Sequence, residues 1–180
     1  MSGLRLREAA VEDATAIAGL HAASWRATYR GIMADDYLDG PILAERLGYW
    51  GRTLSRPEPG RLVLLLQDGQ GLAGFIALGP DPSAIFDAHI DNLHVDVARK
   101  AQGHGRRLLG EAARRLAMEG RRTVCLWVFD ANEAALGFYA ALGGIPDEQG
   151  AERIDGKDVP QTRIVWHDTS VLATDCMAAA

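Results

Sequence analysis

Two glycines separated by one residue, Gly103 and Gly105, stand at the start of an amphipathic run that is rich in arginine. A glycine-rich turn that opens a helix leaves backbone N–H groups without partners, and such groups bind anions such as phosphate. Because glycine lacks a Cβ atom, phosphate oxygens can approach the backbone closely. Arg99, Lys100 and Arg106 are near enough in sequence to add charge-assisted hydrogen bonds. The segment therefore predicts a site for a phosphate-bearing ligand.

Two common phosphate-binding motifs do not fit this segment. A nucleoside-triphosphate loop needs Lys followed by Ser or Thr after its last glycine, whereas Arg106 and Arg107 follow Gly105. A dinucleotide fingerprint needs a third Gly or Ala three residues after Gly105, where the chain has Leu108. Taken alone, the glycine pair is equally typical of a structural tight turn.

The net charge of −5 is distributed unevenly along the 180 residues. Residues 99–122 contain eight basic and two acidic side chains, so this segment carries +6 and the remainder carries −11. A general nucleic-acid binder would have a broader basic face, and we therefore expect one anionic ligand instead of nucleic acid. Several arginines of the segment are interpreted as the solvated face of a helix, namely Arg114, Arg115, Arg121 and Arg122.

The bulk properties indicate a soluble cytoplasmic protein without a metal. Charged residues occur near the N-terminus before any apolar run that is long enough for a signal peptide or a membrane span. The two cysteines, Cys125 and Cys176, have neither a pairable spacing nor a metal-ligand pattern. We therefore expect no membrane partner and no metal site.

Hydrophobic periodicity predicts strands and helices in the order β-α-α-β-β-β-α-β-α-β, which is typical of a mixed α/β fold. We expect one domain over residues 1–168, followed by a flexible tail over 169–180. The predicted strands cover Leu4 and Leu6, 61–67, 72–79, 85–97, 123–129 and 161–166. The predicted helices cover 11–30, 34–54 with an interruption at Gly40 and Pro41, the run after the glycine loop to Gly120, and 132–142.

Two motifs together resemble one known family. The segment LHVDVARKAQGHGRRLL, residues 93–109, resembles the acyl-coenzyme A loop of the GNAT superfamily of N-acetyltransferases. The segment NEAALGFYAALGG, residues 132–144, resembles a conserved-pattern helix of the same superfamily, Asn-x-x-Ala-x-x-Phe-Tyr-x-x-x-Gly. The resemblance implies a central mixed, twisted sheet of about six to seven strands flanked by helices. It also implies a V-shaped splay between the two central parallel strands.

The resemblance further implies acetyl-coenzyme A as the co-substrate. Its diphosphate would lie on the amides of the glycine loop, and its pantetheine arm would pair with main-chain groups of the strand before that loop. The residues implied in binding it are Leu93, His94, Val95, Lys100, Gln102, Gly103, His104, Gly105, Arg106 and Asn132.

Three side chains are candidates for catalysing acetyl transfer to an amine. Tyr139 matches the tyrosine that protonates the departing thiolate in the superfamily. His89 falls where histone-modifying members carry a catalytic glutamate, and imidazole titrates in the useful range for a general base. Asp91, on the same side of the strand, is the second candidate for the base. The alternatives are that His89 is an ordinary polar strand residue and that Tyr139 is a core aromatic beside Phe138.

The first predicted helix carries His21, Trp25 and Tyr29, which we consider candidates for binding the acceptor amine; packing between helices is the alternative. The implied activity is direct attack of a primary amine, on a small or amino-acid-like molecule, on acetyl-coenzyme A in a ternary complex. Acetylation of a macromolecule, such as a protein N-terminus or an aminoacyl-tRNA, stays open, as does a non-catalytic acyl-coenzyme A-binding module. A homodimer is compatible with the sequence, which does not specify the assembly.

Overall fold

A computed structural model describes residues 3–154 and 156–178 of the chain. The strands are β1 (Arg5–Glu8), β2 (Leu62–Asp68), β3 (Gly71–Gly79), β4 (Ala88–Val95), β5 (Val124–Phe129), β6 (Ile145–Ile154) and β7 (Lys157–Trp166). The α-helices are α1 (Ala14–Tyr29), α2 (Asp35–Asp39), α3 (Ile42–Ser55), α4 (His104–Met118), α5 (Glu133–Ala140) and α6 (Thr169–Ala178).

The seven strands form one mixed sheet in the order β1-β2-β3-β4-β5-β7-β6; helices α1 to α5 lie between strands along the chain, and α6 follows the last strand. The predicted mixed α/β fold with six to seven strands is therefore confirmed. Within the described ranges, no helix combines the length and apolar character that crossing a membrane requires. The cytoplasmic location stays a prediction.

The contacts between residues divide the chain into two compact units. The first unit contains Met1–Ala77 and Asn92–Leu108, and the second unit contains Leu78–Asp91 and Leu109–Ala180. The expectation of one domain over residues 1–168 stays a prediction.

In the first unit, the core lies between helices α1 and α3 and strands β2 and β3. The apolar face of α1 is buried because its small and branched residues recur at helical spacing. The buried members of this core are Ile17, Ala18, Leu20, Trp50, Val63, Leu65, Phe75 and Ala77. The predicted interruption of the second helix is confirmed at Gly40, where an added Cβ would lie 2.5 Å from the backbone oxygen of Asp36.

In the second unit, β5 and β7 pair antiparallel over six residues, and β6 pairs with the other side of β7. Strand β4 pairs parallel with β5 through Ala88 opposite Val124 and His89 opposite Cys125. The splay between the central strands that the family resemblance implies stays a prediction. Strand β6 is absent from the predicted order of elements. Nine of its ten residues are exposed, so no alternation of apolar and polar residues marks it in the sequence.

The C-terminal segment differs from the loose tail that the sequence predicts. Residues Thr169–Ala178 form α6, in which Leu172, Ala173 and Cys176 are buried. The helix packs closely on α4, because a Cβ added at Gly110 would lie only 2.7 Å from the Cβ of Cys176. Residues 179–180 of the predicted tail lie outside the described part of the chain.

Candidate active site

The glycine loop lies in the first unit, directly before α4. Ala101 and Gly103 both have positive φ angles, 60° and 79°, which turn the backbone sharply into the helix. The first helical hydrogen bond of α4 runs from the Arg107 N–H to the Gly103 oxygen at 3.0 Å. The amides of His104, Gly105 and Arg106 precede that bond, so they have no acceptor within the helix. This arrangement can hold an anionic oxygen on the backbone.

The side chains around the loop divide into engaged and exposed groups. The Arg99 guanidinium pairs with the Asp68 carboxylate and is therefore not available to a phosphate. The ring of His104 is 6% exposed, and its burial lowers its pKa, with further lowering from Arg99 and Arg107. His104 can consequently offer a ligand its main chain only. Lys100 and Gln102 are exposed, and Arg106 is partly exposed.

The strand before the loop is held close to β3 in the first unit. A Cβ at Gly74 would lie 2.8 Å from the His94 oxygen and 3.1 Å from Cδ1 of Leu108. The Asp96 N–H donates to the Ala73 oxygen at 2.9 Å, so the pairing with β3 extends past the end of β4. Only glycine at position 74 permits β3 and β4 to come this close. The close packing fixes the main chain of β4, on which the predicted pantetheine contacts of Leu93, His94 and Val95 would depend.

Two histidines meet in the interior of the first unit. The rings of His21 and His94 lie 4.4 Å apart between centroids, and Nδ1 of His94 is 3.0 Å from the Ser24 hydroxyl. The Trp50 indole N–H donates to Nδ1 of His21 at 3.1 Å. Burial lowers the pKa of His21 to about 2 and that of His94 to about 3, so both rings are neutral near pH 7. The sequence predicts His94 on the strand that binds the co-substrate, but it does not predict the contacts of His94 with Ser24 and His21.

The three candidate acceptor residues are brought together along α1. The rings of His21 and Trp25 lie 5.7 Å apart, and those of Trp25 and Tyr29 lie 5.3 Å apart. His21 and Tyr29 are buried, whereas Trp25 is partly exposed. The Arg46 guanidinium of α3 lies over the Trp25 ring at 5.1 Å, which is within cation–π range. Arg46 is a member of this cluster that sequence reasoning missed, because a single arginine in an amphipathic helix is typical of a solvated face.

The two candidate bases are also neighbours, and both lie in the second unit. Nδ1 of His89 is 3.0 Å from Oδ1 of Asp91, and the two side chains are 16% and 25% exposed. A carboxylate can only accept a hydrogen bond, so Nδ1 of a neutral His89 carries the proton and Nε2 carries a lone pair. This is the tautomer that a general base requires.

Tyr139 is the inward-facing member of the Phe-Tyr pair on α5. It is 7% exposed, and its ring lies 5.3 Å from Phe138 and 5.8 Å from Trp166. Asn132 caps the same helix, because its Oδ1 accepts from the Ala135 N–H at 3.2 Å. The roles of Asn132 and Tyr139 toward a ligand stay predictions.

Among the side chains that the structure describes, no group of three or more His, Cys, Asp or Glu residues is arranged to hold a metal ion. The two cysteines, Cys125 and Cys176, are buried and form no disulfide with each other. Burial raises the pKa of Cys125 to about 12, so its thiol stays protonated and is a poor nucleophile.

Comparison with known proteins relates residues 18–143 to the acetyltransferase (GNAT) family model. The chain is 32% identical over 172 residues to an uncharacterized N-acetyltransferase of Bacillus subtilis, YuaI; the alignment covers 94% of this chain and 96% of that one.

Solved structures share the fold. The PaiA N-acetyltransferase of Thermoplasma acidophilum, in complex with coenzyme A, superposes with a TM-score of 0.67 at 24% identity and covers 89% of this chain and 98% of its own. YncA, a putative acetyltransferase of Salmonella typhimurium with its cofactor acetyl-CoA, superposes with a TM-score of 0.66 at 17% identity and covers 92% and 94%.

Proposed function

This chain belongs to the GNAT family of acetyltransferases, and we propose that it acetylates the primary amine of a small or amino-acid-like molecule by direct attack in a ternary complex. Acetyl-coenzyme A is the co-substrate. The amine nitrogen forms a bond to the acetyl carbon, the carbon–sulfur bond breaks, one proton leaves the nitrogen and one reaches the sulfur. The chain must therefore supply an anion site, a base, an acid and a place for the acceptor.

The backbone amides of His104, Gly105 and Arg106 are suited to the diphosphate of the co-substrate. They precede the first hydrogen bond of α4, and the positive φ of Gly103 leaves no Cβ on the approach to them. Lys100 and Arg106 add positive charge at the same loop. Most of the binding would thus depend on main-chain groups, with Leu93, His94 and Val95 offering theirs to the pantetheine arm.

We assign proton removal from the amine to His89 and proton donation to the thiolate to Tyr139. The 3.0 Å contact between Nδ1 of His89 and Asp91 supports the first assignment, because the carboxylate selects the tautomer with a lone pair on Nε2. Asp91 is thus a positioning residue in this scheme. Burial of the Tyr139 ring supports the second assignment, since a low-polarity setting strengthens hydrogen bonding to a developing thiolate.

The observation that favours a small acceptor is the enclosed cluster of His21, Trp25 and Tyr29. The Trp25 ring lies 5.7 Å from the His21 ring and 5.3 Å from the Tyr29 ring, and His21 and Tyr29 are buried, so the cluster suits a compact group better than a polymer. Three of the arginines that could have bound a polymer are engaged within the protein: Arg114 and Arg115 both donate to Glu111, and Arg121 donates to the Asp87 oxygen.

A panel of amines tests the proposal directly. The purified protein is incubated with acetyl-coenzyme A and single amines, amino acids, peptides with free N-termini and aminoacyl-tRNA, and products are identified by mass spectrometry. Small amines should be acetylated with release of free coenzyme A. Turnover of the peptides or the charged tRNA alone would contradict the small-acceptor proposal, and absence of turnover with every member would contradict the proposed activity.

A further inference from the structure

Three buried side-chain nitrogens in the described part of the first unit have no hydrogen-bond partner: Nε2 of His21, Nε of Arg46 and Nε2 of His104. Of these, Nε2 of His21 and Nε of Arg46 belong to the cluster around Trp25, and each is shielded from water within the described structure. Unpaired buried donors are rare in folded proteins because they lose their hydrogen bonds to water without replacement. Two of them in one cluster call for a ligand with acceptor oxygens.

The hydrogen bond from Trp50 determines which nitrogen of His21 carries the proton. An indole N–H can only donate, so Nδ1 of His21, 3.1 Å away, must present its lone pair. The ring is neutral, because burial lowers its pKa to about 2. The proton of His21 therefore resides on Nε2, which makes this atom a donor without a partner. His21 itself is 1% exposed.

Arg46 is held in place without a carboxylate that satisfies it. Its guanidinium carbon lies 5.1 Å from the Trp25 ring centre and 6.0 Å from that of Tyr49. Arg46 forms an ion pair with its sequence neighbour Glu45 at 3.7 Å, which exceeds the length of a charge-assisted hydrogen bond. Its side chain is 21% exposed, so part of it is in contact with solvent.

The ring of Trp25 joins the two donors into one site. It lies 5.7 Å from the His21 ring and directly beneath the Arg46 guanidinium. The charge of Arg46 also acts on His21 and His94, and it lowers the pKa of both rings. The cluster thus combines one permanent cation, one neutral N–H donor and an aromatic surface. An anionic acceptor with planar oxygens fits all three features, whereas a polyamine would meet only like charge and donors.

We propose that Arg46 and His21 bind the carboxylate of the acceptor, so that the acetylated molecule is an amino acid or another amine that bears a carboxylate. Arg46 provides the ion pair over Trp25, and Nε2–H of His21 donates to a carboxylate oxygen. The inference rests on the proposed small-amine acetyltransferase activity and specifies the acceptor class for it. It also gives both orphaned N–H groups of the cluster a partner.

Matched acceptor pairs provide the test. Each amino acid is compared with its own carboxamide, for example phenylalanine with phenylalaninamide, in acetyl-coenzyme A turnover assays. We expect kcat/KM for the amino acid to exceed that for the amide by at least about tenfold, since a charge-assisted hydrogen bond is lost in the amide. Equal or faster turnover of the amides would overturn the inference while leaving the acetyltransferase proposal intact.

Variants connect the preference to Arg46. Arg46→Gln should raise KM for amino acids about tenfold or more and leave the amides nearly unchanged, so that the preference is lost. Arg52→Gln on the same helix is the matched control, because Arg52 is exposed and lies outside the cluster. If the Arg46→Gln variant does not fold, Arg46→Lys is tested in its place. Lysine keeps a positive charge near Trp25 but lacks the planar guanidinium that can bind both carboxylate oxygens, so this variant should still weaken amino-acid binding. An unchanged preference in a folded variant would overturn the inference.

A binding measurement separates this inference from the proposed activity. Calorimetry with an amino acid and with its amide reports binding at the cluster without turnover. Selective binding of the amino acid that disappears in Arg46→Gln would support the carboxylate site even if no acetylation occurred, in which case the proposed activity alone would fail. Binding of the two ligands with equal affinity would overturn the carboxylate site.

Discussion

The imidazole rings of His21 and His94 lie 4.4 Å apart at an interplanar angle of 31°. His21 is hydrogen-bonded to Trp50, and His94 is hydrogen-bonded to Ser24. Two protonated rings at this distance would repel each other, and burial opposes protonation of either one. Both are therefore neutral at pH 7. The stability of the first unit depends on this state, and it leads to a pH dependence with a defined direction.

We expect the free energy of unfolding to fall as the pH is lowered from 7.5 to 5.5. The folded-state pKa values of about 2 for His21 and about 3 for His94 lie below the unfolded value, so only the unfolded chain takes up protons in this range. The contribution of the neutral His21 and His94 rings to the free energy of unfolding is complete above about pH 6.5 and is lost progressively as the pH falls toward 3. Each ring should account for about 1.4 kcal/mol over these two pH units.

Urea unfolding at both pH values measures this loss. The lowered pKa of His104 adds to the loss in the same direction. His94→Gln removes one titrating group and should reduce the pH dependence by about 1.4 kcal/mol, whereas His167→Gln, at an exposed position, serves as the control. If the free energy of unfolding of His94→Gln changed with pH as much as that of the unmodified protein, His94 would have to take up its proton in the folded protein over this pH range, as it does in the unfolded chain.

Tyr139→Phe should lower kcat by about 10²-fold or more, because the departing thiolate loses its proton donor. The ring contacts with Phe138 and Trp166 are retained in the variant, so acetyl-coenzyme A affinity measured by calorimetry should change little. Unaltered kcat would remove Tyr139 from the role of acid. A parallel loss of affinity and of folding stability would indicate the alternative interpretation as a core aromatic.

His89→Gln and Asp91→Asn should both reduce turnover, with the histidine change the larger. Gln has no basic nitrogen, and we expect a loss on the order of 10²-fold. Asp91→Asn keeps the imidazole but removes the carboxylate 3.0 Å from Nδ1, so the ring can adopt the wrong tautomer and the loss should be about tenfold or more. The double variant should be no slower than His89→Gln alone. Additive losses would show that the two residues act independently.

Gly103→Ala should weaken acetyl-coenzyme A binding more than it weakens the fold. At φ +79° an alanine costs about 1 kcal/mol of strain, while no protein atom within 4 Å would obstruct its Cβ. The new methyl group would stand where phosphate oxygens approach the amides. Gly120→Ala is a matched control, with φ +75° and equally open space at the other end of α4. Equal effects of the two changes on ligand affinity would exclude the loop as the diphosphate site.

Gly110→Val should destabilise the protein by about 1–3 kcal/mol through overpacking, because its Cβ would lie 2.7 Å from that of Cys176. Thermal unfolding measures the change. The control is Gly137→Ala in α5, where no atom lies within 4 Å and helix propensity favours alanine. A neutral Gly110→Val would mean that α6 moves away readily, as the loose tail predicted from the sequence would.

The sequence predicted those parts of the fold that have a periodic apolar face or a glycine that ends a helix. The buried stripe of α4 and the break at Gly40 belong to this group. Strand β6 was missed because exposure on both faces removes the alternation. Helix α6 did carry a start signal, since the Asp168 carboxylate accepts from the Ser170 N–H at 2.9 Å, but its short apolar run resembled a tail.

The site was predicted unevenly for a comparable reason. Spacing along β4 was sufficient to place His89 beside Asp91, because alternate residues of a strand share a face. The contacts of His94 with Ser24 and of Arg46 with Trp25 join residues that are 70 and 21 positions apart. Tertiary packing alone brings such residues together, and no local pattern in the chain marks them.

The outermost strand, β6, affects how copies of the protein behave when concentrated. An uncovered strand edge is a template on which another chain can add, and this is the usual beginning of aggregation. Here Pro146 has no N–H group with which to pair, and Asp147 and Glu148 follow it and form ion pairs with Arg163. Such residues discourage edge-to-edge association, so the exposed rim of the sheet is protected against fibre formation by its own composition.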